Sequence, residues 1–281
     1  MITSMHNPRV KQAIRLRDHR QRRKEQLILI DGVRELARAI AAGAAVREVF
    51  VCPELCRSEE SLRLLENLPE SGGQRFDVTE AVFAKLAFGQ RSEGVVGVAE
   101  VPRRPLEDLL LPTNPLVAVL EGVEKPGNLG AVLRSADGAG VSALVVADPR
   151  TDLFNPNTIR ASLGTIFSMP LAAAAPGDVL NWLRGRGLQI LAARVEGSVS
   201  YTEVDYRRPT ALVLGSEAQG LTSLWNGDDV RAIRLPMLGA ADSLNVSAAA
   251  TVLFYEALRQ RMKDADPFAY PSLKNHRANC R

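Results

Sequence analysis

Histidine is scarce. The 281 residues hold three, His6, His19 and His276, all near the chain ends. A histidine-based triad or metal centre therefore has no material in the body of the protein. Cysteine is equally sparse: Cys52, Cys56 and Cys280. The number is odd, and Cys52-Pro-Glu-Leu-Cys56 has no second pair to complete a zinc site. The thiols are expected to be reduced, in a cytoplasmic protein without a metal. No run of about 18 apolar residues occurs, so no helical membrane span is expected. No apolar segment follows the basic N-terminus, so no secretory signal is expected. Neither G-x-G-x-x-G nor a phosphate loop of the G-x-x-x-x-G-K-[ST] type is present, which removes the common dehydrogenase and ATPase readings.

What the chain does have is unevenly placed charge. The net charge is only +3. Residues 9–24 nevertheless crowd Arg9, Lys11, Arg15, Arg17, Arg20, Arg22, Arg23 and Lys24 around a single acid, Asp18. Such density makes a local field that attracts phosphate. Arg22, Arg23 and Lys24 are the candidate phosphate contacts. No aromatic residue is interleaved, so base stacking is not indicated there.

Hydrophobic residues at 46% and charged residues at 24% are those of a globular protein able to bury a core. The first part of the chain alternates short elements. Asp31 is placed to cap a helix whose apolar face is Val33, Leu36, Ala37 and Ile40. Strands are expected at 46–51, 76–78 and 95–101, with helices near 59–67 and 80–86. Residues 102–114, with three prolines and mixed charge, read as a connector whose Leu109–Leu111 run packs on something. Beyond it, buried-type strands alternate with helices: strands at 116–120, 143–146, 188–193, 211–214 and 232–235, helices from 128, over 156–164, 178–184 and 245–262. That rhythm predicts a mostly parallel sheet covered on both faces. Residues 1–101 and 115–263 thus form two α/β domains, and 264–281 a tail without stable structure.

Three segments carry candidate chemistry. Lys125-Pro-Gly-Asn-Leu-Gly-Ala-Val-Leu-Arg134 joins a strand to a helix; Asn128 is expected to cap that helix, and its N-terminus favours anions. Leu212-Val-Leu-Gly-Ser-Glu-Ala-Gln-Gly-Leu221 is a strand ending in a glycine-bounded loop with an acid, Glu217. Ligands of parallel sheets bind at such carboxyl ends. Leu235-Pro-Met237 and Asp242-Ser-Leu-Asn-Val-Ser247 follow, with Ser243 or Asn245 capping a long helix that is apolar nearly all round and so expected to be buried.

In this order, PGNLGAVLRSADGAG, LVLGSEAQGL and LPMLGAADSLNVS resemble the three motifs of the TrmH-like (SpoU) branch of the SPOUT RNA methyltransferases. PNTIRASLGTIFSMP also resembles that family, and the likeness covers roughly residues 115–262. The opening of the chain, with NPRVK, a basic helix, a strand and Asp31-Gly32, resembles the ribosomal-protein-like RNA-binding domain of rRNA-directed members. The resemblance implies a sheet with a trefoil knot near its C-terminus, a homodimer, S-adenosylmethionine as cofactor, and ribose 2′-O-methylation of RNA, with 23S rRNA ahead of tRNA. It implies a cofactor site at Leu214, Gly215, Glu217, Gly220, Leu235, Met237, Ser243, Leu244 and Asn245. Functional polar residues are implied at Asn128, Arg134, Glu217, Ser243 and Asn245. Ala218 departs from the pattern, standing where glycine is common. A non-catalytic RNA-binding protein that kept the fold is the alternative from another class.

Overall fold

The computed structural model describes residues 1–68, 73–88, 93–197 and 199–262. The expected tail, with His276 and Cys280, lies outside the described residues.

The first unit contains α1 (Pro8–Arg15), α2 (His19–Glu25), β1 (Leu27–Asp31), α3 (Val33–Ala41), β2 (Val46–Val51), α4 (Glu59–Asn67), β3 (Gln74–Asp77), α5 (Glu80–Leu86) and β4 (Val95–Glu100). Its sheet runs β1-β4-β2-β3, with β4 antiparallel to both neighbours and β3 parallel to β2. Asn7 caps α1 through the Arg9 N–H at 2.9 Å. Asp18, the one acid of the basic run, caps α2 by accepting from the N–H groups of Arg20 and Gln21. Asp31 does not cap α3 as expected. It closes β1, and its carboxylate accepts the Phe88 N–H at 2.5 Å. Burial pushes that carboxyl up to about 6, against the opposing pull of the Phe88 N–H.

The second unit contains β5 (Leu116–Glu121), α6 (Pro126–Gly138), β6 (Ala143–Ala147), α7 (Pro156–Ala161), α8 (Thr165–Ser168), β7 (Leu171–Ala174), α9 (Pro176–Gly185), β8 (Gln189–Ala193), β9 (Val199–Ser200), β10 (Thr210–Leu214), β11 (Val230–Arg234) and α10 (Val246–Arg261). The strand order is β7-β6-β5-β10-β8-β11-β9. Every neighbouring pair is parallel. β5, β6 and β10 are buried along their whole length, as a parallel sheet with both faces covered requires. β10 is inserted between β5 and β8, both earlier in the chain. The helix expected over 156–164 ends at Ala161, and a second short helix, α8, starts beyond it, because Leu163 and Gly164 adopt φ of 53° and 80°.

α6 and α7 cross at Gly130. A Cβ there would lie 2.5 Å from Ala161 Cβ and 2.8 Å from the Thr158 carbonyl oxygen. Backbone cannot withdraw as a flexible side chain would, so Gly130→Ala is expected to cost about 1–3 kcal/mol. Urea denaturation would show this as a lowered midpoint, and an unchanged midpoint would contradict the close crossing.

The two units share one hydrophobic core, in which Ile28, Ile30 and Leu36 join Leu129, Ile159 and Ile166. Polar ties cross the same seam. Arg38 Nη1 donates to the Leu163 carbonyl and Arg160 Nη1 to the Phe88 carbonyl, each at 2.8 Å. The connector is fastened rather than loose: Leu106 and Leu109 are buried against the sheet, while Arg104 donates to the carbonyls of Ile166, Phe167 and Met169 around the end of α8.

The seam corrects one expectation. Arg22 is 2% exposed. Its Nε pairs with Asp152 at 2.6 Å, and Nη1 donates to the Leu16 and Arg17 carbonyls. It is an internal strut between the units and cannot meet phosphate. Arg23 and Lys24 point outward and are exposed.

Candidate active site

The carboxyl ends of β5, β8, β10 and β11 lie along one edge of the parallel sheet, and the segments that follow them converge there. After β10 the chain makes a tight turn. The Gly220 N–H donates to the Ser216 carbonyl at 3.0 Å, and Gly220 takes φ +65°, a region glycine enters without strain. Ala218 has no positive φ, so alanine fits where glycine is common. Gly215 is required for a different reason. A Cβ on it would lie 2.2 Å from the Gly220 carbonyl carbon and 2.5 Å from the Leu221 nitrogen.

These segments enclose a cleft of about 470 Å³. Leu214, Gly215, Glu217, Gly220, Leu235, Met237, Ser243 and Leu244 all line it. Asn245 does not line it; its Oδ1 accepts the Ser247 N–H at 3.0 Å and caps α10. Sequence reasoning missed the fourth wall, Ala193 to Glu196, which follows β8. The rule about strand ends applies to β8 as well, but only the three-dimensional strand order shows that β8 lies beside β10. It also missed Glu121, the charged end of an apolar strand. Glu121 is 3% exposed, and its two oxygens accept from the Thr222 N–H and Oγ1, each at 2.8 Å, fixing the exit of the turn.

Glu217 ties the three sequence motifs together. Lys125 Nζ lies 2.7 Å from Oε2 and Asn128 Nδ2 donates to Oε1 at 2.9 Å. Asn245 Nδ2 donates to the same Oε1. The Lys125 ammonium, helped by Asn128 and the Val246 N–H at the start of α10, holds the carboxyl below the usual carboxylate range. Asn128 is therefore not the cap of α6. Lys125 occupies that position, and Asn128 sits inside the first turn with its amide turned to Glu217. A smaller cavity of about 190 Å³ lies on the Lys125 and Asn128 side of the turn and shares Gly215, Ser216, Glu217 and Val246 with the cleft.

The fold thus brings together Asn128, Glu217 and Asn245. Ser243 lines the cleft without a hydrogen bond to this group among the described residues. Arg134 lies further along α6, exposed, outside both cavities, and without a hydrogen bond or ion pair among the described residues. No group of three or more His, Cys, Asp or Glu is placed to hold a metal among the described residues. The site offers an anchored carboxylate, oriented amides, an apolar wall and glycine backbone.

Comparison with known proteins agrees in both units. The sequence profile of the SpoU rRNA Methylase family matches residues 115–255, and that of the MRM3-like substrate binding domain matches residues 7–97. A 23S rRNA uridine 2′-O-methyltransferase of Streptomyces viridochromogenes is 31% identical, over 88% of this chain and 86% of that protein. The crystal structure of an RNA 2′-O ribose methyltransferase has a TM-score of 0.81 at 39% identity, covering 93% of this chain and 99% of that one. A rRNA methyltransferase of Sinorhizobium meliloti, crystallised with S-adenosylmethionine, has a TM-score of 0.83 at 30% identity, covering 92% and 97%.

Proposed function

The chain belongs to the SpoU rRNA methylase family and is an S-adenosylmethionine-dependent RNA ribose 2′-O-methyltransferase; we propose that its target lies in 23S rRNA. The observation that carries the reading is the cleft at the strand ends, whose walls are the family motifs joined through Glu217. The cofactor fits this lining: Leu214, Leu235 and Leu244 give an apolar wall, and the acids of the cleft would face a cationic sulfonium. When bound, it supplies an electrophilic methyl group for in-line displacement by the ribose hydroxyl.

The protein's own part is alignment and charge. Holding nucleophile and electrophile in line removes much of the entropic barrier. Glu217 stays anionic and orients the amides of Asn128 and Asn245. Arg134 orients the ribose and its phosphate and stabilises the developing alkoxide. A guanidinium holds its proton too firmly to act as a base, so the hydroxyl proton leaves through a neighbour rather than onto Arg134 itself. Ser243 contributes from the cleft rim.

RNA is held by the N-terminal unit. Lys11, Arg15, Arg20, Arg23 and Lys24 are exposed on α1 and α2, while Asp18, the acid between the two helices, is spent as a cap. Arg23→Glu with Lys24→Glu is expected to weaken RNA binding and to reduce the slope of log affinity against log salt by about two. An unchanged slope in filter binding would exclude these two side chains as phosphate contacts.

The protein acts as a homodimer in the cytoplasm. α10 is not buried all round as its sequence suggests. Ala248, Val252 and Tyr255 leave an apolar stripe exposed, with the Tyr255 hydroxyl near Gly138 of α6, one turn from Arg134. A second copy covering this face would bring Arg134 to the seam. Light scattering is expected to give twice the chain mass, and Val252→Glu to halve it; a monomeric wild type would overturn this. Among the described residues no helix is long and apolar enough to cross a membrane.

The decisive experiment is transfer of labelled methyl from S-adenosylmethionine to unmodified ribosomal RNA and to bulk tRNA. Label in the large rRNA is the expected result. Label confined to tRNA would overturn the substrate assignment.

A further inference from the structure

The cleft wall contributed by β8 has no counterpart in the sequence motifs, and it carries a positive charge that the motif residues lining the cleft lack. Among the described residues lining the cleft, Arg194 is the one cation, set against Glu196, Glu217 and Asp242. Of these acids, Glu217 already has Lys125 as its partner. A cofactor with a sulfonium, an ammonium and a carboxylate would meet complementary acids for its two positive groups, but a single partner for its negative one.

Arg194 is also built in rather than draped over the rim. Its backbone N–H donates to the Ile233 carbonyl of β11 at 2.9 Å. Its Nη2 donates to the Thr222 carbonyl at 3.0 Å. Thr222 is itself pinned by the buried Glu121 through its N–H and hydroxyl. The residue is half-buried and its guanidinium is tied at one point among the described residues, which leaves the other N–H groups of its planar fork for an anion. Fixing the fork in advance reduces the ordering cost that binding would otherwise carry.

We propose that Arg194 clamps the carboxylate of the cofactor's methionine moiety and so makes the cleft selective for the complete amino acid tail. This rests on the methyltransferase reading above.

The test compares two ligands that differ by the carboxylate alone, S-adenosylmethionine and its decarboxylated form, titrated calorimetrically without RNA. Three proteins are compared: the wild type, Arg194→Ala, and Arg194→Gln, which keeps a donor for the Thr222 carbonyl but loses the charge. The wild type is expected to favour S-adenosylmethionine by about tenfold or more, the size of one charge-assisted contact. Both variants should bring that ratio to within about twofold, with the loss on S-adenosylmethionine and little change for the decarboxylated compound. An unchanged ratio in both variants, or equal losses on both ligands, would overturn the clamp and assign Arg194 to the nucleoside or to the wall itself. A wild type that binds both ligands equally would also overturn it. A wild type that binds neither would instead overturn the cofactor reading, and the clamp with it.

Discussion

Arg134→Ala is expected to lower methyl transfer by about a hundredfold or more, while folding and cofactor affinity stay at wild-type values. The magnitude is that of removing one hydrogen-bond donor from a centre where negative charge develops. The separation between activity and folding comes from position. Arg134 is exposed and makes no hydrogen bond or ion pair among the described residues, so truncating it leaves no buried group unsatisfied and opens no cavity. It lines neither cavity, so the cofactor should not register its loss. Single-turnover transfer at saturating S-adenosylmethionine, alongside a thermal melt and a cofactor titration, separates these quantities. Near-normal turnover in Arg134→Lys would show that positive charge alone suffices there, because an ammonium cannot present a planar fork to ribose and phosphate.

Gly215→Ala is expected to abolish measurable cofactor binding, and Gly220→Ala to leave most of it. The contrast is instructive because backbone conformation alone suggests the opposite ranking. Gly220 has the left-handed φ of +65°, yet an added Cβ would meet nothing within 4 Å. Its cost is the local strain of an alanine in that region, roughly 1–2 kcal/mol. At Gly215 an added Cβ would fall 2.3 Å from the Gly220 carbonyl oxygen. The obstacle is backbone, so the turn carrying Glu217 has to open, and with it the shared wall of the two cavities. Titration with S-adenosylhomocysteine would rank the two variants; a larger loss in Gly220→Ala would refute this account of the turn.

Much of this site was legible before any coordinates. The apolar run Leu212–Leu214 followed by a glycine-bounded acid is a strand end with a ligand loop, and the cleft was found there. A cap at Ser243 or Asn245 could be read from their place before an apolar helix, and Asn245 takes it. What could not be read depended on partners distant in sequence. Asn128 has the chemistry of a cap, and nothing local says that Glu217, 89 residues later, would claim its amide. Arg22 is one arginine among many in a basic run, and nothing local says that Asp152, 130 residues away, would take its guanidinium. β7 was missed because Leu-Ala-Ala-Ala lacks the β-branched residues that mark a strand. The exposed stripe of α10 was misjudged because composition reports how apolar a helix is, not which side of it the protomer covers.

The seam between the two units has a consequence for target choice. With Arg22 and Asp152 locked inside it, a common core running through it, and the connector tied down at Arg104, the basic face and the cleft are held like the jaws of a fixed caliper. Such a tool selects by distance. A ribose would be reached because it stands at the set offset from whatever RNA feature the basic face grips, and lengthening the RNA between grip and target by one base pair would carry the hydroxyl out of range without altering a single contact at either end.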